Sequence, residues 1–335
     1  MARLRLVVAL CRPPVVLTLA LFGVLGMVQG GGARDELRAV PVLVAITAFV
    51  VFSIAVNDLA DEAVDRANLG GGPVRPLAHG LATRRHVRTL AACAAAVVLV
   101  AGAAAGWRAV VVLGIGLAVS GLYSLQLSSR GAIASLALPA LFVAVPYLVG
   151  LLSARTALHG QDLLLLGGLY LGFVGRIVLK DFRDVRGDEL FGKRTFLVRH
   201  GRSATCAFSA VSWALGTACL LGVRGLTPTL VAVEAILVVV ALVLLRALAD
   251  DRGARHDEWT ISALAIVGRA VVLCVVVHIA AVDSGWPALL VAAIVVVLAV
   301  AFLGQARAMY HDGPAPSLHV PAAWMQHVEN PATRR

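Results

Sequence analysis

The sequence predicts an all-α fold, a polytopic transmembrane helical bundle of nine or ten spans. Hydrophobic residues make up 60% of the 335-residue chain and charged residues 14%, against about 45–50% and about 25% in ordinary soluble domains. Ten apolar runs come close to the roughly 20 residues that a helix needs to cross the hydrocarbon core. They lie near residues 14–31, 39–57, 87–106, 109–127, 132–152, 162–179, 204–222, 228–247, 260–281 and 286–304. Arg269 interrupts the ninth run and Pro287 begins the tenth, so nine spans is the alternative count.

The loops between these runs are unevenly charged. With a cytoplasmic N-terminus, 22 of the 29 lysines and arginines fall on the cytoplasmic side, and such a bias sets the orientation of membrane proteins. We therefore expect a multi-pass protein of the cell (plasma) membrane, with residues 1–305 as the membrane domain and 306–335 as a cytoplasmic tail. The net charge of +10 follows the same bias. The expected partners are therefore membrane lipid and an anionic substrate, with no nucleic acid.

Two short stretches, each directly after an apolar run, hold eight of the 19 acidic residues. In both, three aspartates are spaced by three and then four residues, which places them on one helix face. The six aspartates are Asp58, Asp61, Asp65, Asp181, Asp184 and Asp188. A solvated helix face is the alternative explanation of such spacing. In a chain this apolar, the repeated pattern favours a site for Mg²⁺, which prefers carboxylate oxygens together with substrate phosphates.

Basic residues accompany both sets of aspartates. Arg66 and Arg75 flank a glycine-rich stretch at 70–72 that is either a phosphate-binding loop or a plain flexible turn. Arg176 lies inside the sixth run, one turn before Lys180, and an arginine at that depth either binds an anion or extends to the membrane interface. Lys193 and Arg194 follow the second set of aspartates in the 187–201 loop.

Two tyrosines are candidate cavity residues. Tyr123 lies within about two turns of the cytoplasmic end of the fourth run, where an aromatic belt residue is the alternative. Tyr147 belongs to the fifth run, which Pro139 and Pro146 should kink or break, and membrane helices tolerate such breaks where they line a cavity.

Three motifs together resemble the UbiA superfamily of intramembrane prenyltransferases, over roughly residues 50–201. The motifs are Asn57-Asp58-x-x-Asp61-x-x-x-Asp65 with Arg75-Pro76-Leu77, the turn Tyr123-Ser124-Leu125, and Asp181-x-x-Asp184-x-x-x-Asp188 with Gly192-x-x-Thr195. The resemblance places Asn57 and the first three aspartates in the first family motif and the other three aspartates in the second.

The resemblance implies a helical bundle around a central cavity that opens to the cytoplasmic side, a prenyl diphosphate donor, and Mg²⁺ held by both motifs. Ionisation of the donor leaves an allylic cation, which a lipophilic or aromatic acceptor captures. On this basis the residues expected to act in catalysis are Asp58, Asp61, Asp181, Asp184, Arg176 and Lys180. Those expected to bind substrate are Asn57, Arg66, Arg75, Tyr123, Tyr147, Lys193 and Arg194.

The resemblance does not determine the identity of the acceptor, because this chain differs from the family pattern at two places. Ser128-Ser129-Arg130 replaces a basic pair, and Thr195-Phe196-Leu197-Val198 replaces Thr-Leu-Pro-Val. A membrane terpene cyclase that uses the prenyl diphosphate alone is the main alternative, although only 6% of residues are aromatic. A transporter is less favoured, because the acids cluster at one membrane surface and not at the midplane. A lipid head-group phosphotransferase is a third choice, but its Asp-Gly-x-x-Ala-Arg signature is missing.

Overall fold

The computed structural model describes residues 8, 10–31, 36–67, 75–124, 132–223, 225–279 and 287–312, and these are helical apart from short connections. The all-α class is therefore confirmed. Within the described residues the α-helices are α1 Pro13–Gln29, α2 Glu36–Ala67, α3 Arg84–Ala105, α4 Trp107–Leu122, α5 Ala132–Pro139, α6 Val145–Ala154, α7 Gly160–Ile177, α8 Asp181–Leu190, α9 Phe196–Leu221, α10 Pro228–Ala249, α11 Ala254–His278 and α12 Ala288–Asp312.

Seven helical segments among the described residues are long and apolar enough to cross a membrane. Two further apolar helices are shorter, Val15–Gln29 and Trp107–Leu122, and α12 coincides with the tenth apolar run. Nine or ten spans therefore stays a prediction. The glycine-rich stretch at 70–72, the Ser128-Ser129-Arg130 segment and most of the tail, 313–335, lie outside the described residues.

Helix α2 carries the first aspartate motif because it is longer than the membrane is thick. Its 32 residues span about 48 Å, against about 30 Å of hydrocarbon. The apolar part packs on α3, whose buried stripe includes Val87, Ala91, Ala94 and Val98. The last three turns of α2, from Asn57 onward, are therefore presented at the cytoplasmic end of the bundle in the predicted orientation.

Helices α1 and α6 approach each other backbone to backbone. A Cβ on Gly26 would overlap the Tyr147 carbonyl oxygen, and a Cβ on Gly150 would overlap the Gly23 carbonyl oxygen. Small residues permit such contact between membrane helices, where close van der Waals packing replaces the hydrophobic effect as the driving force.

The fifth apolar run remains one helical span but contains a π-helical segment between its two prolines. Helix α5 ends at Pro139, a π-helical segment covers Ala140–Ala144, and α6 begins at Val145 with Pro146 in its first turn. Because Pro146 has no N–H to donate within this continuous helix, a local change of the hydrogen-bond pattern such as the π-helical segment is expected beside it. Tyr147 follows Pro146 and is fully buried, and its hydroxyl has no hydrogen-bond partner among the described residues.

The second aspartate motif begins a helix of its own. Helix α7 passes through a 3₁₀ turn, Val178–Lys180, into the short α8. Gly192, with φ of +66°, reverses the chain after α8, and the Lys193 N–H donates to the Asp188 carbonyl oxygen at 2.8 Å. This reversal returns Lys193 towards the end of α2.

Candidate active site

The three aspartates on α2 each meet a cation from a different part of the chain. Asp58 accepts a hydrogen bond from Arg12, just before α1. The Lys193 Nζ lies 2.6 Å from Asp61 Oδ1, and Arg75 pairs with Asp65. Three cationic side chains therefore converge on one acidic helix face.

Asn57 supports this face. Its amide Nδ2 donates to Asp61 Oδ2 at 3.1 Å, one turn along α2. Asp61 is thus held from two sides, by Asn57 and by Lys193. The position of Asn57 beside the acids agrees with its place in the motif.

Arg12 is a site residue that the sequence reasoning missed. It is the one non-glycine residue with positive φ in the described chain, at +48°, a conformation that costs free energy and persists only where surrounding contacts enforce it. The ion pair with the buried Asp58 and the following Pro13, which starts α1, supply those contacts. The signal available in the sequence was an arginine directly before Pro-Pro at the start of a span.

Helix α8 packs against α2, so the structure brings the two aspartate motifs together. Asp181 and Asp188 are buried, at 5% and 4% exposure, and Asp184 lies between them on the same helix. This juxtaposition is the one that the repeated spacing predicted.

The other predicted site residues are spread more widely. Arg66 donates to Glu62 on its own helix at 2.6 Å, and Lys180 and Arg194 are exposed. Tyr123 is 4% exposed at the end of α4. Arg176 lies against Gly268 of α11 and over the Phe173 ring at 4.8 Å, and no described carboxylate pairs with it.

The carboxylates fit a divalent metal ion by their chemistry. Asp58 keeps one buried oxygen, Oδ2, without any partner in the described chain, and hard oxygen ligands are those that Mg²⁺ selects. No three acidic, histidine or cysteine side chains among the described residues already surround one point.

One ion pair joins α8 to the start of α11, and a second, from α9 to α11, involves an arginine that also covers α8. Arg183 on α8 donates through Nε to Glu258 at 2.8 Å and through Nη2 to the Ser262 hydroxyl at 3.3 Å. Arg202 on α9 covers the Phe182 ring at 5.0 Å and binds Asp257 through both terminal nitrogens, at 2.8 and 2.5 Å. The helix of the second motif is therefore held from two sides.

We expect Glu258→Gln to lower turnover about tenfold, a barrier change of about 1.4 kcal/mol. The loss should appear mainly as weaker apparent Mg²⁺ affinity, because α8 then holds its aspartates less firmly. The exchanged pair Arg183→Glu with Glu258→Arg should recover much of the activity, and Asp250→Asn, at an exposed ion pair, serves as the control. Unchanged Mg²⁺ dependence in Glu258→Gln would contradict this role.

The fold and these facing motifs define a class, an intramembrane helical protein with paired acidic sites at one end of its bundle. The model of the UbiA prenyltransferase family matches residues 16–265. This chain belongs to that family, and the resemblance seen in its motifs is confirmed.

Solved structures share the fold. The structure of a digeranylgeranylglyceryl phosphate synthase is 20% identical with a TM-score of 0.63, covering 83% of this chain and 99% of that one. A UbiA homologue from Aeropyrum pernix K1 is 19% identical, TM-score 0.62, over 81% and 98%. A UbiA homologue from Archaeoglobus fulgidus bound to GPP and Mg²⁺ is 16% identical, TM-score 0.59, over 82% and 99%. No curated protein sequence matches significantly.

Proposed function

We propose that this protein transfers a prenyl group from a prenyl diphosphate to an aromatic or other small lipophilic acceptor within the membrane, with Mg²⁺ as cofactor. The observation that carries the proposal is the meeting of two aspartate motifs and three cations at one end of an apolar bundle. The Archaeoglobus homologue whose structure contains GPP and Mg²⁺ supports the choice of donor and metal.

The transfer requires one bond to break and one to form at the first carbon of the donor. The bond from that carbon to the diphosphate oxygen breaks, and its electron pair leaves with the diphosphate. An electron pair of the acceptor forms the new bond, and the acceptor releases a proton to solvent or to the departing diphosphate.

The residues around the motifs supply the electrostatics of this step. Positive groups already fixed beside the acids, Arg12, Lys193 and Arg75, balance charge where it develops on the leaving group, and such preorganised charge is a large catalytic contribution. The ligands proposed for Mg²⁺ are Asp58, Asp61, Asp65, Asp181, Asp184 and Asp188; when bound, the ion would neutralise the diphosphate further. The apolar helices beyond keep water from the cation.

A two-component reaction tests transferase against cyclase. Purified protein is incubated with geranyl, farnesyl or geranylgeranyl diphosphate and Mg²⁺, with and without a panel of aromatic and lipid acceptors, and products are read by mass. We expect diphosphate release to depend on the acceptor. A cyclic terpene as the main product from donor alone would show that the protein is a cyclase.

We also propose that the motifs face the cytoplasm at the plasma membrane, from the charge bias of the loops. Single cysteines in a cysteine-free background are placed at exposed positions: Arg85 and Arg199 on the motif side and Thr156 between α6 and α7. These positions avoid Arg84 and Arg155, which form ion pairs. An impermeant thiol reagent added to intact cells should label only the cysteine at 156. Labelling at 85 and 199 and not at 156 would show that the protein has the opposite orientation.

A further inference from the structure

Residues 10–12, directly before α1, lie across the end of the bundle that carries the first aspartate motif. Leu10 is 5% exposed, and it packs into a small apolar cluster formed by α2, α3 and the segment before α3. The other buried members of this cluster are Ala55, Leu77, Ala82, Val87 and Ala91. We call residues 10–12 the N-terminal strap.

The strap ends in the ion pair between Arg12 and Asp58. The guanidinium donates to Asp58 Oδ1, and Asp58 lies about one turn beyond Ala55 on α2. The Arg12 carbonyl oxygen accepts hydrogen bonds from the N–H groups of Val15 and Val16, at 2.9 and 3.3 Å. Arg12 is therefore fixed to the start of α1 on one side, while its side chain and Leu10 hold the strap against α2.

This ion pair places a protein cation on a carboxylate that is proposed to hold Mg²⁺. Each aspartate on α2 is balanced in this way, by Arg12, Lys193 or Arg75. Asp58 is the one whose second oxygen, Oδ2, is buried without a partner among the described residues. A divalent ion taken up there would put two positive groups on one carboxylate, and like charges that close repel strongly.

The backbone makes Arg12 the cation that is most readily displaced. Its φ and ψ are +48° and +64°, a left-handed conformation that costs free energy in any residue with a Cβ. The pair with Asp58 offsets this cost. The positive φ beside Lys193 belongs instead to Gly192, and glycine adopts it at little cost. Loss of the pair with Asp58 therefore favours relaxation of Arg12 and release of the strap.

We propose that the N-terminal strap closes the metal-free site and that binding of Mg²⁺ with a diphosphate displaces it. The inference rests on the proposed metal site and adds a device that regulates it. Arg12 occupies Asp58 in the resting state, and Leu10 anchors the strap. Strap closure and metal binding oppose each other, and the factor by which each weakens the other is the same.

Cys11 is a native reporter of the strap. It is half-buried and forms no disulfide, and burial raises the pKa of its thiol. Because the thiolate is the reactive form, release of the strap should speed its labelling by a maleimide at least about fivefold. The measurement uses detergent-solubilised protein in which the other four cysteines are alanine. Mg²⁺ with inorganic diphosphate should give the fast rate, and diphosphate with a chelator the slow one.

Arg12→Gln should release the strap without metal. We expect fast labelling of Cys11 in chelator, and Mg²⁺ binding by calorimetry about tenfold tighter, since a hydrogen bond between charged groups no longer competes for Asp58. Arg88→Gln, which removes the same charge from an exposed position on α3, should behave as wild type in both measurements. Weaker Mg²⁺ binding in Arg12→Gln would show that Arg12 supports the metal and does not oppose it.

Leu10→Ala separates release of the strap from simple loss of charge. It changes no charge but removes the anchor that keeps Arg12 on Asp58, so labelling should be faster and Mg²⁺ binding severalfold tighter. Val8→Ala, at an exposed position of the same segment, is the matched control. Elution volume and thermal melting identify any variant that fails to fold. Unchanged Mg²⁺ affinity in folded Leu10→Ala, or slow labelling of folded Arg12→Gln in chelator, would overturn the inference.

The outcome is separable from that of the proposed function. Release of the strap by Mg²⁺ and diphosphate in a protein that transfers no prenyl group would remove the transferase proposal alone. Prenyl transfer by a protein whose Cys11 is labelled at one rate under all conditions would remove this inference alone.

Discussion

Asp58→Asn should reduce Mg²⁺-dependent turnover by at least about 10³-fold, a barrier increase of about 4 kcal/mol. The substitution keeps the size of the side chain but removes a charged oxygen ligand and leaves Arg12 facing a neutral amide. Asp58 is 2% exposed and has one oxygen without a partner among the described residues. Because the site is buried, water is poorly placed to replace the lost carboxylate oxygen. The same loss is expected from Asp61→Asn, Asp181→Asn and Asp184→Asn.

Turnover of a prenyl diphosphate over a range of Mg²⁺ concentrations measures the effect, with protein quantified in the membrane fraction. Asp250→Asn, the exposed acid between α10 and α11, is the matched control and should remain fully active. Full activity in any two of the four motif variants would remove the metal-site assignment.

Gly150→Leu should prevent α1 and α6 from packing and leave little folded protein. The new Cβ would overlap the Gly23 carbonyl oxygen, which is backbone and has no rotamer through which to move aside. Overpacking of a core commonly costs about 1–3 kcal/mol and more where neighbours are unable to shift. The effect should exceed that range here because two helices must part.

Gly114→Leu on α4 is the comparison, because a Cβ at Gly114 meets nothing within 4 Å. Both glycines belong to apolar helices, so the pair isolates packing from helix propensity. Thermal melting and detergent-resistant elution as a single species measure the difference. Similar behaviour of the two variants would contradict the backbone contact between α1 and α6.

The sequence predicted the features that depend on local pattern. Run lengths located the helices, two prolines marked the irregular π-helical segment between α5 and α6, and the spacing of three and four located both acidic faces. The same spacing occurs in both motifs, and it predicted that α2 and α8 lie together. Clustered carboxylates in an apolar chain are either exposed to solvent or bind a common cation, and a common cation requires the two helices to be neighbours.

The partners of those acids were less predictable, because they are distant in the chain. Arg12 meets Asp58 across 46 residues and Lys193 meets Asp61 across 132. Apolar periodicity fixes which face of a helix is buried but not which neighbour covers it. Two features depend on which helices pack together. One is the contact of Arg176 with α11, and the other is the set of contacts that Asp257 and Glu258 make around α8.

Helix α11 connects the anchor of α8 with the packing around Arg176. Glu258, near the start of α11, holds α8 through Arg183, and ten residues later, about 15 Å along a continuous helix, Gly268 lies against Arg176. Because one helix carries both contacts and packed interiors transmit strain, a substitution that displaces α11 should alter the position of the second aspartate motif and the packing around Arg176 together.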